Sequence, residues 1–236
     1  MSKLRWAGVI LFALCPLGAA AGNSAPSPLA IHAAIPVLCT DVHLAARTRV
    51  RGTAVIVGAN GVILTAAHVI VESPPTCTLT VLVPNEEWSK ATGFRAFFVE
   101  HCAADKTVDL AVCSLRPVEP RPAWTGLPVA SLKRQFPTAD LDITIAGFSG
   151  WGLFPVARRG QVKGHTLYRR QDGVYCDFST DVVAFEGMSG SPVVTSQGEL
   201  IGLITTAGTR RFSGTSFGIS VERTSGFLQA HGLPLP

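Results

Sequence analysis

Residues 52–69 read Gly-Thr-Ala-Val-Ile-Val-Gly-Ala-Asn-Gly-Val-Ile-Leu-Thr-Ala-Ala-His-Val. Thr53 to Val57 is β-branched and apolar, Ala59-Asn60-Gly61 is a turn signal, and Val62 to Thr65 resumes the apolar run. Two such runs joined by Asn-Gly predict a β-hairpin, because Asn and Gly accept the positive φ that tight hairpin turns need. The same pattern extends outward. Leu79 to Val83, Phe94 to Val99 and Leu110 to Leu115 read as further strands. Asp142 to Ala146, Gly160 to Gly164, Gly173 to Phe178, Pro192 to Thr195, Leu200 to Thr206 and Ser216 to Val221 form a second series. Between them, Arg116 to Pro137 carries Pro117, Pro120, Pro122, Pro128 and Pro137 and reads as a linker, since proline cannot donate to a sheet ladder. Thr224 to Ala230 reads as one short helix. The expected fold is all-β, with two units of similar size, and short evenly spaced strands suggest barrels.

The composition agrees with a packed core. Of 236 residues, 47% are apolar and 15% charged, which excludes a disordered chain. A formal net charge of +4 is too small to argue for a nucleic-acid partner. Lys3 and Arg5 precede an apolar run from Ala7 to Leu17, which ends at the small residues Gly18 to Ala21. This reads as a secretory signal over residues 1–21, cleaved after Ala21, and the protein is expected to be exported, periplasmic or secreted. The run falls short of the ~20 apolar residues of a membrane span, so no stable span is expected after cleavage. Cys15 invites a lipoprotein reading, against which stands the bulky Leu14.

Export implies an oxidising compartment. Cys39, Cys77, Cys102, Cys113 and Cys176 remain after cleavage, an odd set that permits at most two internal disulfides. The spacings match no zinc pattern, and no metal or cofactor is expected. Cys77–Cys102 is the bridge we expect, while Cys113 and Cys176, each in an apolar stretch, read as small buried hydrophobes.

Three blocks carry chemistry: Thr65-Ala66-Ala67-His68-Val69, Asp109-Leu110-Ala111-Val112 and Gly187-Met188-Ser189-Gly190-Ser191-Pro192. Alone, each has a plainer reading, as a core histidine, a strand start and a loop. In the order His, Asp, Ser they resemble the trypsin-like serine proteases of the chymotrypsin fold, over roughly Gly52 to Val221. The likeness is greatest to the bacterial HtrA-type proteases and glutamyl endopeptidases. Ala146 to Gly150, followed by Arg159 to Val162, resembles the opening hairpin of their second barrel. The resemblance implies two six-stranded antiparallel β-barrels with a short C-terminal helix. Residues 22–125 would hold the N-terminal segment and first barrel with His68 and Asp109, and residues 126–236 the second with Ser189.

It also implies a mechanism. A serine hydroxyl is a poor nucleophile until a base takes its proton. His68 would be that base, and Asp109 would fix its tautomer and stabilise the imidazolium. The backbone N–H groups of Gly187 and Ser189 would form the oxyanion hole. Thr205, Thr206 and Ala207 would pair with the substrate backbone as an added strand.

The chain departs from the family in places. Met188 stands where animal digestive proteases carry Asp, and Val69 stands where the cystine beside the histidine would be. Only 15 residues follow Val221, too few for the PDZ domain of HtrA proteases. Val183, six residues before Ser189, would form the base of the primary pocket and argues for apolar rather than basic preference. Ile204, in a strand without His, argues against Glu preference. Arg158-Arg159, Arg169-Arg170 and Arg210-Arg211 read as solvated basic turns.

The expected function is an exported serine endopeptidase acting on a protein or peptide through an acyl-enzyme. A catalytically silent relative that binds through the same cleft is the alternative. An α/β-hydrolase is disfavoured, because Ser191 stands where Gly-x-Ser-x-Gly requires glycine and no strand–helix alternation is visible.

Overall fold

The computed structural model describes residues 32–41, 47–88, 90–119, 126–150, 152–165, 167–169, 173–207, 214–233 and 235. The expected signal segment, Cys15, Arg170, Arg210 and Arg211 lie outside the described residues.

Six strands close the first barrel. They are β1 (Ala34–Asp41), β2 (Arg47–Gly58), β3 (Val62–Thr65), β4 (Cys77–Pro84), β5 (Phe94–Asp105) and β6 (Leu110–Pro117), in the order β1-β2-β3-β6-β5-β4. The β2–β3 hairpin is the one read from residues 52–69: Val55 faces Leu64, and Gly61 turns with φ 82. Alternation along β2 then sorts its side chains between two cores. Ala54 and Ile56 point inward with Ile35, Ile63, Val81 and Phe97. Val55 and Val57 point outward, into an apolar layer shared with Phe148, Val194 and Leu203 of the second half. Both faces of β2 are therefore buried, which explains an apolar run without alternation.

The strand pattern read from the sequence omits β1. Its residues Ala34 to Cys39 are all buried and include Pro36, so they show neither alternation nor an ordinary strand composition. The proline is tolerated because pairing with β4 begins only at Val37.

The second barrel is built from β8 (Asp142–Phe148), β9 (Pro155–Gly164), β12 (Phe178–Thr180), β13 (Pro192–Thr195), β14 (Glu199–Ala207) and β15 (Ser216–Ser220). Their order is β13-β8-β9-β12-β15-β14, and β13–β14 pairing closes the ring. Ile145, Val162, Phe178, Val193 and Ile201 fill it. The molecule is thus all-β with two closed six-stranded antiparallel barrels. Two short helices complete the described residues, α1 (Ala67–Val71) and α2 (Ser225–Ala230). None is long and apolar enough to cross a membrane.

Three readings need correction. The linker contains a short strand, β7 (Ser131–Leu132), which pairs parallel to β14. Ala130 N–H bonds Ile56 O of the first barrel at 2.8 Å, and Lys133 N–H bonds Leu200 O of the second at 2.9 Å, so the connection is stitched to both. The single strand expected over Gly173 to Phe178 is two pieces. One is β11 (Tyr175–Cys176), which pairs with β10 (Tyr168–Arg169); the other is the start of β12. Arg158 and Arg159 lie within β9 and Arg169 within β10 rather than in turns.

The disulfides also differ from expectation. They are Cys39–Cys77 and Cys102–Cys113, not Cys77–Cys102, and Cys113 is a bridged cystine half rather than a lone buried hydrophobe. Each strand of a closed barrel has two neighbours. Cys77, at the start of β4, bridges to β1 on one side, where Asp41 faces Cys77 and Cys39 faces Leu79. Cys102, in a bulge of β5, bridges to β6, which faces it on the other. Cys176 stays outside both disulfides and is buried.

Candidate active site

His68 stands in the single turn of α1, immediately after β3. Asp109 ends the turn between β5 and β6 with φ 53, a left-handed conformation that Asp tolerates better than most residues. Two short connections of one barrel thereby meet. Asp109 Oδ2 lies 2.7 Å from His68 Nδ1, and Asp109 Oδ1 accepts the His68 backbone N–H at 2.9 Å. The Ala67 N–H donates to the Asp109 carbonyl at 3.1 Å. An ionised carboxylate only accepts, so the proton of this pair sits on Nδ1, and Nε2 of a neutral ring carries a lone pair. Asp109 is 3% exposed, whereas the His68 side chain keeps 29% of its surface open.

Ser189 comes from the second barrel, in the turn between β12 and β13. The turn closes on itself through Met188 N–H to Phe185 O at 2.9 Å and Ser191 N–H to Met188 O at 3.0 Å. Met188 is buried and packs with the second barrel's core. Gly187 and Gly190 hold φ 92 and 84. A Cβ on Gly187 would lie 2.6 Å from Phe148 O and 2.7 Å from Gly150 N. On Gly190 it would press into Thr53 O and Thr65 Oγ1. Both positions therefore demand glycine for conformation and for space. The Glu186 carbonyl accepts the Gly150 N–H at 2.8 Å, and the planar trans peptide sets the Gly187 N–H on the opposite side.

His68, Asp109 and Ser189 line one cleft of about 440 Å³. Thr205 and Thr206 line it too, on β14. Thr205 sits at a bulge between the Ile204–Gly218 and Thr206–Phe217 pairs, with its side chain buried and its Oγ1 3.3 Å from Cys176 Sγ. The ladder between β13 and β14 reaches only Leu203, so Thr205 to Ala207 pair with β15 alone within the barrel ladder. Ala207 belongs to β14, but its side chain is outside the described residues. Val183 is 38% exposed and is not among the residues lining this cleft. Gly187 is not part of the lining either, although its neighbour Glu186 is. Among the described residues no hydrogen bond joins His68 to Ser189, a contact that is often long before a substrate binds. No group of three metal-ligating side chains is found among them.

The structure adds residues that the motifs did not announce. Lys106, Val174 and Phe185 line the cleft. The Arg158 guanidinium lies 4.8 Å above the Phe185 ring. Thr107 O accepts the Tyr175 N–H at 2.8 Å, tying the turn before Asp109 to β11. Thr53, which reads as an ordinary strand residue, reaches the turn that bears Ser189. Asp177 is buried between β11 and β12, where its carboxylate accepts Ser220 N–H at 2.8 Å and Ser220 Oγ–H at 2.5 Å. Burial pushes its carboxyl above the ordinary range, against the pull of those two bonds. Its signal in the sequence was a lone carboxylate inside the apolar Tyr175-Cys176-Asp177-Phe178 run.

Residues 52–203 match the model of the trypsin-like peptidase domain. A search of curated proteins found no significant match. Among solved structures, the chain is similar to the MamO protease domain from Magnetospirillum magneticum in its apo form. That likeness has 19% identity and a TM-score of 0.66, and covers 85% of this chain and 98% of that one. It is also similar to the Rv3671c protease in its inactive form, at 17% identity and a TM-score of 0.63, covering 89% and 98%. A serine endoprotease from Yersinia pestis matches at 21% identity and a TM-score of 0.63, covering 88% and 67%. At these identities the structures speak for the fold, while the domain match spans well over half the chain. The chain belongs to the trypsin-like peptidase family.

Proposed function

We propose that this protein is a serine endopeptidase in which Ser189 attacks the scissile carbonyl, His68 moves the proton and Asp109 holds the imidazole. The observation that carries the reading is the His68–Asp109 couple, Nδ1 to Oδ2 at 2.7 Å, in the same cleft as Ser189. His68 Nε2 takes the Ser189 hydroxyl proton as Oγ bonds to the carbonyl carbon. The carbonyl oxygen becomes an oxyanion, received by the N–H groups of Gly187 and Ser189. Collapse expels the amine, which takes the proton from His68 and leaves an acyl-enzyme. Water then repeats the sequence, with His68 as base, and frees Ser189.

The substrate peptide pairs with β14 beyond Leu203, along Thr205 to Ala207, where the ladder with β13 has stopped. We assign an apolar primary preference, supported by Val174 and Phe185 in the cleft lining rather than by Val183. Export remains part of the proposal, supported by the N-terminal signal pattern and by two disulfides.

The test is labelling of the purified protein with a fluorophosphonate probe, beside Ser189→Ala, followed by digestion of unfolded casein. Labelling and cleavage by the wild type alone support the reading. A folded wild type that neither labels nor cleaves would transfer the cleft to the alternative, a catalytically silent binding module.

A further inference from the structure

Thr53 is fully buried in β2 of the first barrel, yet three of its hydrogen bonds cross to the second half. Its Oγ1–H donates to Gly187 O at 2.8 Å, and the same oxygen accepts the Phe148 N–H at 3.0 Å. Its backbone N–H donates to Ser189 O at 2.8 Å. Another bond anchors it at home: Thr65 Oγ1–H donates to Thr53 O at 2.7 Å. One hydroxyl thus spends both its donor and an acceptor on the turn that bears Ser189 and on the end of β8 beside it.

The consequence lies at Gly187. The peptide before it is held at the Glu186 carbonyl by Gly150 N–H, and the peptide after it at the Gly187 carbonyl by Thr53. The first bond fixes the peptide that carries the Gly187 N–H and the second fixes the next peptide, so neither plane beside Gly187 turns freely. Glycine at φ 92 would otherwise rotate its peptide planes more easily than any other residue. Such a donor helps a transition state only if it is already aimed before charge develops.

We propose that Thr53 is a positioning residue, which holds the nucleophile turn of the second barrel in its reactive shape through the first barrel's framework. This rests on the serine-peptidase reading above. The Thr53 hydroxyl touches neither substrate nor reacting atoms. It acts on the Gly187 N–H, and its removal should slow chemistry rather than weaken ground-state binding.

The experiment compares Thr53→Ser, Thr53→Ala and Thr53→Val in the full chain, by fluorophosphonate labelling rate, peptide kcat and KM, and thermal midpoint. Ser and Ala differ by the hydroxyl alone, and Val keeps the shape of Thr without it. The expected result is a labelling rate and kcat within ~3-fold of wild type for Ser. For Ala and Val, both should fall by ~10–100-fold at nearly constant KM, the scale set by a small misplacement of catalytic groups. Equal rates in folded Ser and Ala variants would overturn the proposal, as would losses that follow the thermal midpoint across all three. If Val does not fold, the Ser–Ala pair decides alone. A wild type that does not label refutes the peptidase reading itself, and the role of Thr53 falls with it.

Discussion

The two barrels hold their parts of the proposed site in different ways. In the first, His68 and Asp109 sit on two connections of one barrel and meet through two hydrogen bonds, with a third from the Ala67 N–H to the Asp109 carbonyl. That barrel also carries both disulfides, Cys39–Cys77 and Cys102–Cys113. In the second, Ser189 rides on a turn with two positive-φ glycines, above a core that holds the Cys176 thiol and the buried Asp177 carboxyl. That turn is fastened from outside, by Thr53. The proposed acid–base couple thus lies within one barrel, whereas the turn of the proposed nucleophile is held by bonds between the barrels.

This comparison can be tested from its strongest consequence downward. Ser189→Ala should lower kcat by about 10⁶-fold, the scale for a removed triad nucleophile. Asp109→Asn, which leaves the geometry but disturbs the tautomer, should cost about 10⁴-fold. Peptide hydrolysis measures both, and comparable small losses would break the assignment of separate roles.

Covalent support should be confined to the first barrel. From loop length alone, removing Cys39–Cys77, with a separation of 38, should cost about 4 kcal/mol, and removing Cys102–Cys113, with a separation of 11, about 3 kcal/mol. Urea unfolding of the paired Cys→Ser variants gives the two values. A larger loss at Cys102–Cys113 would mean that its position in the β5 bulge beside the Asp109 turn outweighs loop entropy.

The second barrel should reveal itself in its pH response. A carboxyl whose folded pKa is raised stabilises the fold most below the ordinary carboxylate range, and that contribution is lost as pH rises through the raised value. Burial acts in this direction on Asp177. Asp177→Asn should therefore gain stability relative to wild type as pH climbs from about 4 to 8, judged by urea midpoints. A flat difference would show that the Ser220 bonds offset burial, and an opposite slope that they outweigh it.

The smallest effect is expected on the surface. The Arg134 guanidinium lowers the Glu222 carboxyl pKa, chiefly through their hydrogen bond, so its contribution is present above the ordinary range and fades as pH falls through the lowered value. The pair is solvent-exposed, and Arg134→Ala should shift the thermal midpoint by no more than the scatter of the measurement.

Local chemistry made much of this protein legible in its sequence. The Asn-Gly turn, the β-branched runs and the punctuating prolines all express preferences of a few neighbouring residues. They were enough for a hairpin at residues 52–69 and for two all-β units. The blocks around His68, Asp109 and Ser189 each have a plainer reading alone, and they were legible only through their order and the family resemblance that it carries. The strand β1 was hidden because a run buried on both faces loses the alternation that marks a strand. The disulfides could not be read, because strand neighbours in a closed barrel are set by ring order and register, which sequence spacing does not encode. Val183 falls outside the cleft lining for a related reason: counting back from Ser189 fixes a position in the chain, not where the turn sends its side chain. Thr53 is the clearest case of all. In the sequence it is one β-branched residue at the head of a strand. Only the packing of one barrel on the other brings its hydroxyl to Gly187, because hydrogen bonds between residues 134 apart exist only once both barrels have closed and docked.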